Sequence, residues 1–517
     1  MKKIDSVISL LHSLSKSEKK HITLHVLSGN ENKDYLIIYD LIINQKIYDT
    51  QSIKMEFTKS KPTGSFEIAV HYLYDKILNS LLMLRKKKDI VYDLFQIISK
   101  VRMLYERSLF HECFELLSEA IEMARKYQYY EILIIALRLE LEYLFRLNFP
   151  DISEQELYHR HYELGDAIKN IRNITEQSSL HDTLKYRLIY KGSIRTDKQK
   201  REMNDLMVSE FYIAASTESK NNFEIKKNHQ LFQSSYLMGV GDFNSALETL
   251  KELNRVFENN PEHWANPPIY YMSVLEGILS SLRFYGNYEE MGYYVEKLKI
   301  LAESSSVEFK VNTLCLVFQY ELFPWLDKGD YEKCKEIIEE YDERLFSKES
   351  WLNPIRLSEL ILYTSIVHIG MKEFSKAKKR LNSLLFDRFM DYLPIKKIIR
   401  LMRLIVYYEL GDFDLIRFET RSIKRGMTNK KEPHYRTEHM LLWFLNNENL
   451  PVFNKDKDDL WKKISNQLTE WQDNRYERQI LYLFDFTAWI EAKIFKKPLS
   501  TIMEKNFEEK MKNNTQH

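Results

Sequence analysis

The chain has 517 residues, enough for about three ordinary domains or one long repeat array. Lys and Arg (76) nearly cancel Asp and Glu (75), which excludes a global electrostatic case for nucleic acid or an anionic membrane surface. Only 13 Gly and 11 Pro punctuate the chain, as in long helices, and three Cys make no disulfide framework and fit a reducing, cytoplasmic setting.

Residues 1–90 read as an N-terminal helical module. Met1-Lys2-Lys3-Ile4-Asp5 has the charge of a signal peptide, but Asp5 and His12 interrupt the apolar stretch and no small-residue cleavage site follows. Ser15-Lys16-Ser17-Glu18 is a capping box opening a helix to about Leu27. Short helices follow, then a longer one from Ser65 to Lys87. Lys19, Lys20, Arg85, Lys86, Lys87 and Lys88 would suit a DNA-binding helix-turn-helix head. The segments around Tyr35–Ile43 are apolar and acidic, however, and supply no recognition helix.

Residues 91–220 read as helical repeats ending in an irregular junction. Phe110-x-x-Cys113-x-x-x-Leu117-x-x-Ala120 places an aromatic and small or apolar residues on one helical face. Tyr129 to Leu147 is apolar but carries Glu131, Arg138, Glu140 and Glu142, which makes it a core helix and not a membrane span. Helices are expected at 153–175 and 202–218. Lys185 to Arg201, polar, basic and containing Gly192, is the expected bend between them.

Residues 221–430 carry the same face five times: Phe243/Ala246/Leu250/Leu253, Tyr288/Met291/Val295/Leu298, Tyr331/Cys334/Ile338/Tyr341, Phe374/Ala377/Leu381/Leu384 and Phe413/Ile416/Thr420/Ile423. The aromatics are 45, 43, 43 and 39 residues apart, and a fixed pattern at a near-fixed period marks stacked repeats. Each repeat reads as two helices. Gly241, Gly286, Gly329 and Gly411 stop the first helix, and the next residue (Asp242, Asn287, Asp330 or Asp412) caps the second. Asn266-Pro267 and Asn353-Pro354 open first helices, and Pro394 and Pro433 continue the period. Pro324 is expected to kink the helix that holds it. Residues 431–517 hold amphipathic segments around Trp443, Trp461 and Trp489 and are expected to form a C-terminal helical cap.

The turns Gly241-Asp242-Phe243-Asn244-Ser245-Ala246, Gly329-Asp330-Tyr331-Glu332-Lys333-Cys334 and Gly411-Asp412-Phe413 resemble the tetratricopeptide repeat family over roughly residues 95–430, although the period exceeds that family's usual 34. Residues 13–20 resemble the start of uncharacterised bacterial helical-repeat proteins. The resemblance implies an all-α fold, a right-handed α-solenoid of stacked antiparallel helix pairs. It also implies a groove lined by first helices, near Glu276, Arg283, Gln319, Glu359 and Tyr408, that binds a protein or peptide. Arg283 and Gln319 would both reach an extended ligand, so replacing them would weaken capture and leave folding almost untouched.

No residues assemble into a catalytic, cofactor or metal site. His21 and His25 lie four apart without the glutamate of a metalloprotease helix, and His159 and His161 point in different directions. Gly239-Val240-Gly241 is a repeat turn, not a nucleotide loop, and Glu339-Glu340 sit on an outward face. Cys113 and Cys334 occupy small buried positions of the pattern. One basic cluster stands out: Lys372, Lys376, Lys378, Lys379 and Arg380, then Lys396, Lys397, Arg400 and Arg403, then Arg417, Arg421, Lys424 and Arg425. Its ordinary reading is a charged exterior, and its sharper reading is a nucleic-acid patch. The sequence therefore favours a non-enzymatic cytoplasmic scaffold for a protein or peptide, needing neither cofactor nor membrane. A regulator with a nucleic-acid-binding head or patch is the alternative.

Overall fold

The computed structural model describes residues 3–27, 34–44, 49–85, 89–190, 194, 196–216, 222–263, 268–303, 307–384, 395–430, 436–446, 453–472, 474 and 476–514. Lys86–Lys88, Gly192, Asn266-Pro267, Pro394 and Pro433 lie outside these residues, as does the side chain of His25. All regular structure among the described residues is helical. The chain divides into two compact units, Met1–Lys169 and Asn170–His517.

The first unit begins with α1 (Lys3–Ser13), α2 (Lys16–Leu27), α3 (Asp34–Asn44), α4 (Thr50–Ser60) and α5 (Phe66–Arg85). The capping box forms: Ser15 N–H donates to Glu18 Oε2 at 2.7 Å, and Glu18 N–H to Ser15 Oγ at 3.2 Å. These helices share a core that includes Val7, Leu11, Ile22, Ile38, Ile53, Phe57 and Leu73. A second core is built by α6 (Ile90–Glu106), α7 (Phe110–Lys126), α8 (Tyr130–Arg146) and the start of α9 (Glu154–Tyr190). Cys113, Leu117 and Ala120 are buried in it, on the face the sequence assigns them. The expected helix break at 175 does not occur: α9 runs unbroken to Tyr190, because Gly165 and the polar residues after it leave the i→i−4 ladder intact.

The second unit continues with α10 (Asp197–Arg201), α11 (Asn204–Ser216), α12 (Phe223–Gly239), α13 (Phe243–Glu258), α14 (Ile269–Tyr285), α15 (Tyr288–Glu303), α16 (Val307–Lys328), α17 (Tyr331–Glu340), α18 (Pro354–Gly370), α19 (Phe374–Asn382), α20 (Lys396–Leu410) and α21 (Phe413–Lys430). It closes with α22 (Arg436–Asn446), α23 (Asn454–Gln472), α24 (Arg478–Leu481), α25 (Phe486–Phe495) and α26 (Leu499–Asn514). Each pattern aromatic is the first residue of its second helix. Ala246, Leu253, Leu298, Cys334, Ala377 and Leu381 are fully buried. Gly241, Gly286, Gly329 and Gly411 all have positive φ, between 74° and 84°, which only glycine adopts without cost. Asp242, Asn287 and Asp330 then accept a backbone N–H three residues on, at 3.2, 3.2 and 3.1 Å. Asn353 likewise caps α18 with Pro354 in its first turn, and Pro324 lies inside α16. From α12 to α21 each helix packs on its chain neighbours, and the first helices α14, α16, α18, α20 and α22 also pack on one another in succession. One apolar cluster runs continuously through these elements, from Phe223 to Ile494.

Candidate functional site

The packing of first helices brings Glu276, Gln319 and Glu359, three of the expected groove residues, into one hydrogen-bonded group. Arg356, three residues into α18, links three of these helices. Its Nη1 donates to Glu276 Oε1 on α14 at 2.7 Å and to Glu359 Oε2 at 2.7 Å, and its Nη2 donates to Glu276 Oε2. Gln319 of α16 donates its amide to Glu359 at 3.4 Å, and Tyr320 Oη donates to the Glu276 backbone carbonyl at 3.2 Å. Burial opposes the charge on Arg356, but Glu276 and Glu359 beside it hold its pKa well above the ordinary range. Burial pushes Glu359 up, against the pull of Arg356.

About two turns beyond Glu276 along α14 sits Arg283. Its Nε and Nη2 donate to Asp327 at 2.8 and 2.7 Å, and Tyr288 Oη donates to the same carboxylate at 2.9 Å. Its guanidinium lies between rings, 3.6 Å from the Phe323 centroid and 4.5 Å from that of Tyr482, with Tyr363 at 5.7 Å. Its Nη1 is buried with no hydrogen-bond partner. Tyr408, at the end of α20, is half-buried and meets Trp489 edge to face at 5.4 Å. Next to it Glu409 accepts from Trp489 Nε1 at 2.8 Å and from Lys493 Nζ at 2.5 Å.

The sequence expects Arg283 and Gln319 to be open to an extended ligand. The structure instead buries both, at 2% and 3% exposure. Neighbouring first helices approach closely there, and Tyr482 from the C-terminal residues covers Arg283. Glu276, Arg283, Gln319 and Glu359 are thus engaged chiefly with one another and with neighbouring side chains. Arg356 and Asp327 escape the sequence reading because they belong to no repeated motif, and Tyr482 because it is more than 100 residues away from every residue it covers.

The basic cluster is also largely committed to neighbours. Arg400 donates to Glu419 at 2.6 Å and to Ser422 Oγ at 3.0 Å, Lys378 to Asp412 at 2.7 Å, and Arg380 to Glu349 at 2.9 Å. Arg403 donates to Tyr407 Oη at 2.6 Å, and Arg417 lies 3.9 Å from Asp414. Lys396 and Lys397 open α20 half-buried, while Arg417 and Arg421 are exposed on α21. A cleft of about 470 Å³ lies between α22 and α23, lined by Arg436, Trp443 and Lys463 among others. Among the described residues no helix is long and apolar enough to cross a membrane, and no three His, Cys, Asp or Glu side chains gather as metal ligands. No protein-family model matches the chain, and no curated protein is significantly similar to it.

Proposed function

We propose that the chain is a non-enzymatic, tetratricopeptide-like scaffold whose second unit is a right-handed α-solenoid that binds a protein or peptide along its first helices. The reading rests on one observation: contacts from α14 reach α18 directly, over α16. Helices packed with axes about 8–10 Å apart would put α14 and α18 about 16–20 Å apart if the three lay flat. Arg356 nevertheless bonds Glu276 at 2.7 Å, and Arg283 lies 5.7 Å from the Tyr363 ring. Contacts that cross α16 in this way support a face shared by the three helices, such as the inner wall of a superhelix offers. Its partly exposed carboxylates, Glu276 and Glu359, are the groups open to a peptide, while Gln319 and the rings of Phe323 and Tyr363 are buried and hold the face in place. Two carboxylates around one guanidinium leave the wall short of positive charge, which suits a ligand with Lys or Arg. Three buried cysteines, too few and too far apart for a disulfide framework, support action in the cytoplasm.

Capture of native partners by the full chain, with cross-links mapped and nucleic acid quantified in parallel, tests the reading. Protein cross-links on α14, α16 and α18 are expected. Captured nucleic acid that dissociates steeply with salt, with cross-links on α20 and α21, would replace this function with the nucleic-acid alternative.

A further inference from the structure

The last helix does not simply end the array. α26 packs back onto α16, in its middle, and onto α25. Leu499, Ile502, Met503 and Phe507 recur at i, i+3, i+4 and i+8, the spacing of an apolar stripe on one helical face. Ile502 is buried, and the other three are half-buried. The Phe507 ring stacks on Tyr288 at 5.7 Å, the tyrosine whose hydroxyl holds Asp327 against Arg283. The turn at Gly329 is shaped for this helix. A Cβ there would stand 2.7 Å from Met503 Cβ and 3.0 Å from the Ser500 carbonyl oxygen, so only glycine admits α26 at this distance.

The attachment is nonetheless slight. Ile502 shares a small apolar cluster with Ala488 and Ala492 that is separate from the main core. Its polar ties are Asn506 to Asp485 at 3.2 Å and Glu504 to Lys328 at 4.0 Å, the latter between half-exposed side chains. Glu508, Glu509, Lys510 and Lys512 face solvent. An amphipathic helix held by one apolar stripe, which meets the continuous core at Leu499 and a separate small cluster at Ile502, has the build of a bound helical peptide.

We propose that α26 is an in-cis occupant of a helix-binding groove formed by α25, the Gly329 turn and Tyr288, and that the partner of this groove is an amphipathic helix with the same i, i+3, i+4, i+8 apolar stripe. α26 then acts as a latch, competing with the partner at the high effective concentration its tether provides. The proposal goes beyond the inner-wall reading: it adds a second groove and names the chemistry of its partner. It stands or falls on a titration that needs no native partner.

The test uses the full chain and a fluorescent synthetic peptide of residues 499–514. In the Ile502→Glu chain the latch loses its anchor while the groove is untouched. This chain should bind the wild-type peptide one to one, at least about tenfold more tightly than the wild-type chain does. A peptide carrying the same Ile502→Glu change should not bind. Hydrogen exchange should show α26 amides losing at least about tenfold protection in the variant while α14, α16 and α18 keep theirs. Phe507→Ala, a milder change, should fall between the two chains. If α26 is released but no peptide binds, the groove has no affinity for helices and the proposal fails. It fails equally if α26 stays protected in both variants, or if either variant loosens α14, α16 and α18. Failure of partner capture alongside successful peptide binding would sink the inner-wall reading and leave the latch standing.

Discussion

At the scale of single residues, the charges shared by α14, α16 and α18 are structural before they are anything else. Arg356 is 7% exposed and holds two carboxylates. Removing it in Arg356→Ala strands both, and breaking a buried pair from one side costs about 3 kcal/mol. Replacing all three charges, as Glu276→Gln, Arg356→Met and Glu359→Gln together, should cost much less. Urea denaturation of the two chains checks this, and equal losses would mean that the network is not a unit. His181 on α9 gives a second residue-scale expectation. It is 5% exposed, and burial, then Lys185, lower its pKa to about 4, with Lys227 acting the same way and Asp182 opposing. Below about pH 6.5 the unfolded chain takes up a proton that the folded chain refuses until about pH 4. Stability from this group is thus complete above that window and declines as pH falls through it, by about 3 kcal/mol in all. Exchange protection of α12, which carries Ser235 against the imidazole at 3.4 Å, should fall with pH in the wild type and stay flatter in His181→Gln.

At the scale of elements, the repeat is legible in the sequence wherever glycine marks the turn, and poorly legible where it does not. Ser108 and Lys372 have φ of 59° and 61°, each two residues before the aromatic that opens a second helix, just as Gly241 and Gly286 are. Gln128 and Asn148 take the same left-handed turn after α7 and α8. The backbone therefore repeats one device through both units, with side chains that tolerate the left-handed region at a cost and so leave no glycine to read. The unbroken course of α9 is invisible for the opposite reason: its polar residues look like a break but cost a helix little. Two glycines with nearly equal φ separate the roles such a turn can have. Gly411 faces open space, whereas Gly329 faces Met503 and Ser500. Gly411→Ala should cost about 1 kcal/mol for its φ alone. Gly329→Ala should cost clearly more and loosen α26, as melting curves and α26 exchange together will report.

At the scale of the molecule, the sequence conveys the all-helical class, because it follows from periodicity along the chain. It does not convey that Tyr482 covers Arg283 or that α26 returns to α16, because those contacts join residues with no shared period. The two units also differ in how their cores connect. In residues 170–517 one dominant apolar cluster runs from Phe223 to Ile494, with two small ones beside it, one including Leu184, Phe232 and Tyr476 and one of Ala488, Ala492 and Ile502; in residues 1–169 no cluster dominates, and the core is split into one part from Ile4 to Ile77 and another from Leu94 to Ala167. A split core couples its parts weakly and should open first. The three cysteines report on this without any substitution: Cys113 lies in the first unit, Cys315 and Cys334 in the second, all fully buried. Burial raises each thiol's pKa, so little thiolate is available and native labelling should be slow. Along a urea gradient, with labelled peptides quantified by mass spectrometry, Cys113 should become reactive at a midpoint at least about 0.5 M below that of the other two, which should respond together. A single shared midpoint for all three would mean that the chain unfolds as one cooperative body and that the split in its core has no energetic consequence.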